Sequence, residues 1–121
     1  MLLNACSVRN KSCMLRDFIR DNHLDLFFIT ETWLTQYDSS AIAAFLPATH
    51  DFYHSPREHG RGGGVGIAIT KSIKSVKTFP RIFRNFECLE VSIVLANKCL
   101  TIYIIYGPPH DCPIQFFEEF Q

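Results

Sequence analysis

The sequence predicts an α/β fold, and three observations carry that expectation. Residues 11–22 place Met14, Leu15, Phe18 and Ile19 at helical spacing opposite Arg16, Asp17, Arg20 and Asp21, the pattern of an amphipathic helix. That stripe lies between Leu2-Leu3 and the run 25–30, Asp-Leu-Phe-Phe-Ile-Thr. This run is apolar on both parities, as suits a strand covered on two faces. Residues 86–95 and 99–106 then alternate as the two arms of an antiparallel hairpin,.

Strand, helix and strand within about thirty residues make a βαβ unit, whose two strands are parallel with a right-handed crossover. Its geometry puts the ends of both strands, Asn4 and Glu31, on one sheet edge,. A second, shorter helix is expected from Ser39 to Leu46, with Ser39 or Ser40 as N-cap and Pro47 closing it,. Strands are expected near 51–54, 65–70 and 74–79. In the hairpin, a turn at Asn97-Lys98 sets Leu95 against Leu100, Ile93 against Ile102, Val91 against Ile104 and Leu89 against Tyr106. Gly107-Pro108-Pro109 ends the second arm, and a helix opens at Pro113 and runs towards Phe120,.

With 121 residues, 47% of them hydrophobic and 20% charged, the chain suits one domain and is too apolar for intrinsic disorder,. Apolar stretches are interrupted well short of the ~20 residues that cross a bilayer. The segment from Cys88 to Tyr106, for instance, contains Glu90, Asn97 and Lys98. With no basic flank or apolar core of signal-peptide length at the start, an intracellular protein, nuclear or cytoplasmic and without membrane contact, is expected.

Five cysteines, at 6, 13, 88, 99 and 112, form no CxxC pair. They read as reduced and mostly buried thiols, or alternatively as a zinc site gathering Cys88, Cys99, His110 and Cys112,. The formal charge is zero, but residues 57–84 carry Arg57, Arg61, Lys71, Lys74, Lys77, Arg81 and Arg84 against Glu58 alone. Such a segment is either a solvated face or a nucleic-acid backbone contact, with Arg61, Lys71, Lys74 and Lys77 as the candidate contacts. The run Gly60-Arg-Gly-Gly-Gly-Val-Gly66 matches neither GxGxxG nor a Walker loop in any register,. It reads as a loop or a close backbone approach.

Asn4 and Glu31 at one edge have two readings. They cap local turns, or they offer the carboxamide and carboxylate oxygens that Mg²⁺ prefers. Tyr106, at the end of its strand, is a buried-ring anchor with a wet hydroxyl, and Trp33 belongs to core or rim.

Taken in order, Leu3-Asn4, the strand 25–30 followed by Glu31-Thr32-Trp33-Leu34, Gly62-Gly63-Gly64-Val65-Gly66 and Ile104-Ile105-Tyr106-Gly107-Pro108-Pro109 carry a resemblance. The chain resembles the exonuclease-endonuclease-phosphatase superfamily. More narrowly, it resembles the apurinic-type endonuclease domain of LINE-type non-LTR retrotransposon proteins. The resemblance implies the N-terminal half of a four-layer α/β sandwich, with mixed β-sheets flanked by helices, and Mg²⁺-dependent hydrolysis of a DNA phosphodiester. On this resemblance Glu31 matches the metal-binding glutamate, Asn4 the asparagine beside it, and Tyr106 the tyrosine that contacts the scissile phosphate.

The family's later Gly-Asp-Phe-Asn and Ser-Asp-His motifs have no counterpart in these 121 residues, and Gly107 stands where related elements often have Arg. A truncated domain, inactive as an isolated chain, is therefore expected. The other expectations are a noncatalytic remnant binding DNA or RNA through residues 57–84, and a relative acting on small phosphate esters.

Overall fold

The computed structural model describes residues 1–78, 83, 85–107 and 118. Two sheets face each other, with two helices packed on the outside of the first.

The first sheet has the order β1-β2-β4-β3, built from β1 (Leu2–Asn4), β2 (Leu26–Thr30), β3 (His50–Ser55) and β4 (Val65–Thr70). β1 and β2 are parallel, with Leu2 opposite Phe28 and Asn4 opposite Thr30, as the βαβ reading requires. The other two pairings are antiparallel. The second sheet, β5 (Lys74–Lys77), β6 (Glu87–Leu95) and β7 (Lys98–Tyr106), is antiparallel throughout. The mixed α/β architecture of the sequence reading is thus present, with helix, sheet and sheet layers among the described residues.

The apolar run in β2 serves two cores because successive side chains point to opposite faces. Phe27 and Ile29 face α1 (Ser12–Asp21) and α2 (Ser39–Phe45), joining Leu15, Ile19, Leu34 and Phe45. Leu26 and Phe28 pack with the other core, where Val65, Ile67 and Ile69 of β4 meet Leu89, Val91, Ile93 and Ile104. Phe27 is 1% exposed, and its ring centroid lies 6.1 Å from that of Phe18. Phe27→Ala is therefore expected to destabilise the fold by about 3–5 kcal/mol, as truncation of a buried ring does. Chemical denaturation with an unchanged m-value checks this.

The βαβ helix forms as the spacing predicts, although its buried stripe is narrower: Leu15 and Ile19 are buried, while Met14 is 61% exposed. The second helix begins with Ser39 as its first residue rather than as a cap, and Asp38 holds the N-cap position. The Asp38 carboxylate does not cap α2. It turns back to accept the Thr35 N–H (2.6 Å) and the Arg9 guanidinium (2.5 Å). The helix stops where expected, because Leu46, preceding Pro47, is extended,.

The hairpin differs in register. Leu95 faces Lys98, Ile93 faces Leu100, Val91 faces Ile102, Leu89 faces Ile104 and Glu87 faces Tyr106. Every pair is shifted by two residues from the hydrophobic match. The loop is only Ala96-Asn97, both left-handed (φ 50° and 63°), and a two-residue turn of that kind matches strand twist best.

Two cysteine expectations are also corrected. Cys6, Cys13 and Cys99 are exposed and Cys88 is half-buried. Cys88 lies opposite Ile105 and Cys99 opposite Val94, roughly 20 Å apart along the ladder at 3.4 Å per residue. The zinc reading thereby loses two of its four ligands as neighbours. Its other two, His110 and Cys112, lie outside the described residues, as do Arg81, Arg84, Pro108-Pro109 and the helix expected from Pro113.

Candidate active site

The edge where β1 and β2 end is built by two loops that keep pairing after the strands stop. The Ala5 N–H donates to the Thr30 carbonyl (2.9 Å), Ser7 to Glu31 (2.9 Å) and Val8 to Thr32 (3.2 Å). On the other side of the segment 31–33, the Thr32 N–H donates to Gly64 (3.2 Å) and Trp33 to Gly63 (2.8 Å). The chain from Glu31 to Trp33 is therefore clamped between residues 5–8 and the glycine loop.

This clamping holds an unusual backbone. Cys6 (φ 46°), Ser7 (86°), Glu31 (54°) and Trp33 (56°) are all left-handed without being glycine, a conformation that persists only where its surroundings impose it and that concentrates at functional sites. Lys11 supplies part of the constraint on the first loop. Its ammonium donates to the carbonyls of Ala5 (2.5 Å), Cys6 (3.3 Å) and Ser7 (3.2 Å).

The kink turns Glu31 towards the end of the second sheet. There the Tyr106 hydroxyl donates to Glu31 Oε1, while the Cys6 thiol approaches Glu31 Oε2 (3.2 Å) and Asn4 Oδ1 (3.6 Å). Asn4, Cys6, Glu31 and Tyr106 thus meet at one rim, although they come from β1, two loops and β7. The donors hold the Glu31 carboxyl below its ordinary pKa, the Tyr106 bond first and the Cys6 bond next, with the Arg57 charge assisting. The same bond pushes Tyr106 up to about 12, and the neighbouring carboxylate raises Cys6. At neutral pH the site therefore holds an ionised carboxylate beside a protonated phenol and a protonated thiol. Tyr106 is a hydrogen-bond donor here, not a base.

A second tether joins the sheets just behind this rim. Glu87, opposite Tyr106 in the hairpin, pairs with Arg57 and accepts the Gly64 N–H (2.7 Å). Arg57 also donates to the Arg61 carbonyl (3.2 Å). The glycine run is thus a close backbone approach. At Gly64 (φ +87°) a Cβ would lie 2.5 Å from Thr32 Oγ1.

The nucleic-acid candidates separate. Arg61 is beside the rim, its guanidinium carbon 5.6 Å from the Trp33 ring centroid. Lys71 follows the far end of β4, about 17 Å of strand from the rim. Lys74 pairs with Val94 near the hairpin turn. Lys77 is half-buried and donates to the His54 carbonyl (2.6 Å). The sequence reading did not find Cys6, Arg57 or Glu87. Cys6 had one available signal, its position two residues beyond Asn4 at the edge the βαβ unit defines.

The Endonuclease/Exonuclease/phosphatase family pattern matches residues 1–121. The chain belongs to that family. Among solved structures, it resembles the AP endonuclease LMAP from Leishmania major at a TM-score of 0.70 and 13% identity, over 97% of this chain and 42% of that one. At that identity the likeness shows the shared fold. The chain spans less than half the length of this neighbour. No curated protein matches it.

In this family member, the donor set at the rim fits a hard divalent cation. Glu31 offers an ionised carboxylate and Asn4 a carboxamide oxygen, and both face the same sulfur. Mg²⁺ takes one or two carboxylates and fills its remaining positions with water and substrate oxygens. Among the described residues, no group of three or more His, Cys, Asp and Glu side chains forms an alternative metal cluster.

Proposed function

We propose that the chain carries the metal- and phosphate-gripping part of a Mg²⁺-dependent DNA endonuclease of the retroelement type, and that these 121 residues alone do not cut DNA. One observation supports this reading above the rest: Glu31, ionised and left-handed, receives the Tyr106 hydroxyl across the two sheets while Asn4 stands on the same rim. The ordered motif set and the family membership point the same way.

In this proposal Glu31 and Asn4 hold the cation. A cation held by them would supply positive charge against the phosphate and the departing oxygen. Tyr106, kept protonated, turns its O–H from Glu31 to a non-bridging phosphate oxygen, a donor aimed where negative charge grows. The residues that would position and activate water belong to motifs absent from this sequence, and loss of a general base alone lowers rates by about 10²- to 10⁴-fold. The protein acts in the nucleus or cytoplasm on this reading. No helix among the described residues is long and apolar enough to cross a membrane.

Supercoiled plasmid incubated with the chain and Mg²⁺ tests the proposal. No nicking is expected from the chain alone, whereas metal-dependent nicking that vanishes in Glu31→Ala would overturn the inactivity while supporting the site. Release of phosphate from small esters without any DNA cleavage would favour a phosphatase instead.

A further inference from the structure

Trp33 and Arg61 stand at the rim beside Glu31, yet the chemistry above uses neither ring nor guanidinium. Trp33 lies two residues past Glu31 and is half-buried. Its position is fixed by a left-handed backbone and by its N–H bond to the Gly63 carbonyl (2.8 Å). Gly62 passes so close that a Cβ there would come within 3.1 Å of the indole Nε1. The guanidinium carbon of the exposed Arg61 then lies over the ring, 5.6 Å from its centroid.

The backbone on both sides of this pair is anchored. Arg57 holds the Arg61 carbonyl, and Gly63 holds Trp33. The Arg61 side chain makes no hydrogen bond or ion pair among the described residues, so its in-plane N–H donors are available. A guanidinium at this distance is within cation–π reach of the ring, and its planar fork of N–H donors matches a phosphate. An aromatic ring beside a cation is also the arrangement that grips unpaired nucleotides, the base by stacking and the backbone by charge.

We propose that Trp33 and Arg61 form a nucleotide subsite, in which an unpaired base displaces the guanidinium from the indole face and the freed guanidinium takes the adjoining phosphate. The inference rests on the nuclease reading, because it places this nucleotide next to the phosphodiester held at the Glu31 rim. A base still paired in a duplex cannot present its face to the ring. The ligand is therefore a single-stranded segment, or a duplex with one nucleotide out of the stack.

Trp33 is the only tryptophan in the chain, so intrinsic fluorescence reads this position alone. The chain is titrated, with chelator present to prevent cleavage, with a short oligothymidylate, with an abasic oligomer of equal length and charge, and with a fully paired duplex. The thymidylate is expected to quench the emission and to bind about 5- to 150-fold more tightly than the abasic oligomer, the range for one stacked base. Arg61→Ala is expected to lower the slope of log affinity against log salt by about one phosphate contact. Trp33→Leu is expected to remove the preference for bases.

Binding of thymidylate with unchanged emission would overturn the proposal, as would equal affinity for the abasic oligomer. Neither result depends on a substitution folding. A separate Mn²⁺ titration of the wild type and Glu31→Gln, without chelator or oligonucleotide, separates the two readings. Quenching that persists while neither protein binds metal removes the nuclease reading alone. Glu31-dependent metal binding with a silent Trp33 removes the subsite alone.

Discussion

Glu31→Gln is expected to bring Tyr106 from about 12 down towards an ordinary tyrosine value near 10.0, which is up to about a 100-fold change in the proton equilibrium. The cause is specific: the phenol is hard to ionise chiefly because it donates to a carboxylate and, secondarily, because it is shielded from water and faces negative charge. A neutral amide removes the charge and weakens the acceptor. Tyrosinate absorbance, followed during alkaline titration with chelator present, measures the change against the wild type.

The same pair sets a pH window. Glu31 titrates below its usual value, so its contribution to stability is present above the unfolded carboxylate range and disappears as pH falls through the lowered value. Tyr106 titrates above its usual value, so its contribution is complete below pH 10 and is lost as pH rises through about 12,. In Glu31→Gln the acid limb attributable to this residue should vanish from a stability profile.

The second large effect concerns the backbone beneath the site. Gly64→Ala is expected to destabilise the fold by about 3 kcal/mol or more, through a left-handed position and a steric collision together. Gly64 has φ +87°, and the new methyl would meet the hydroxyl of the fully buried Thr32 at 2.5 Å. Neither group has room to retreat, because the Thr32 N–H is bonded to the Gly64 carbonyl and the Gly64 N–H to Glu87. Thermal unfolding should show a midpoint lower by roughly 10 °C. Since Glu87 lies opposite Tyr106, the Tyr106 titration should also move towards its ordinary value.

The parts legible in the sequence were those set by local periodicity. The helical stripe and the doubly apolar run defined the βαβ unit, and its handed crossover was enough to put Asn4 and Glu31 on one edge. The hairpin shows where such reasoning stops. A slip of two residues keeps every side chain on its own face, so the match of Ile93 and Val91 with Ile102 and Ile104 cannot distinguish the registers. The turn decided, through left-handed Ala96 and Asn97.

Position beside the predicted edge was the only signal for Cys6, and its contact with Glu31 left none. Its approach to Glu31 depends on two consecutive left-handed residues imposed by Lys11 and by bonds to residues 30–32, none of which leaves a local pattern. Glu87 is the charged first residue of an otherwise mostly apolar strand, and only the meeting of the two sheets reveals its grip on Gly64 and Arg57. The basic segment was legible as composition but not as placement, since the strands carry Lys71 and Lys74 to the far end and fold Lys77 onto His54.

The cation site itself is tested most directly by paramagnetic broadening of the backbone amide resonances during titration with Mn²⁺, a substitute for Mg²⁺. Broadening centred on residues 4–6 and 31–32, reversed by excess Mg²⁺ and abolished by Glu31→Gln, is the expected result. Broadening centred elsewhere, or the same pattern in Glu31→Gln, would contradict the assignment of Asn4 and Glu31 as the residues that hold the ion.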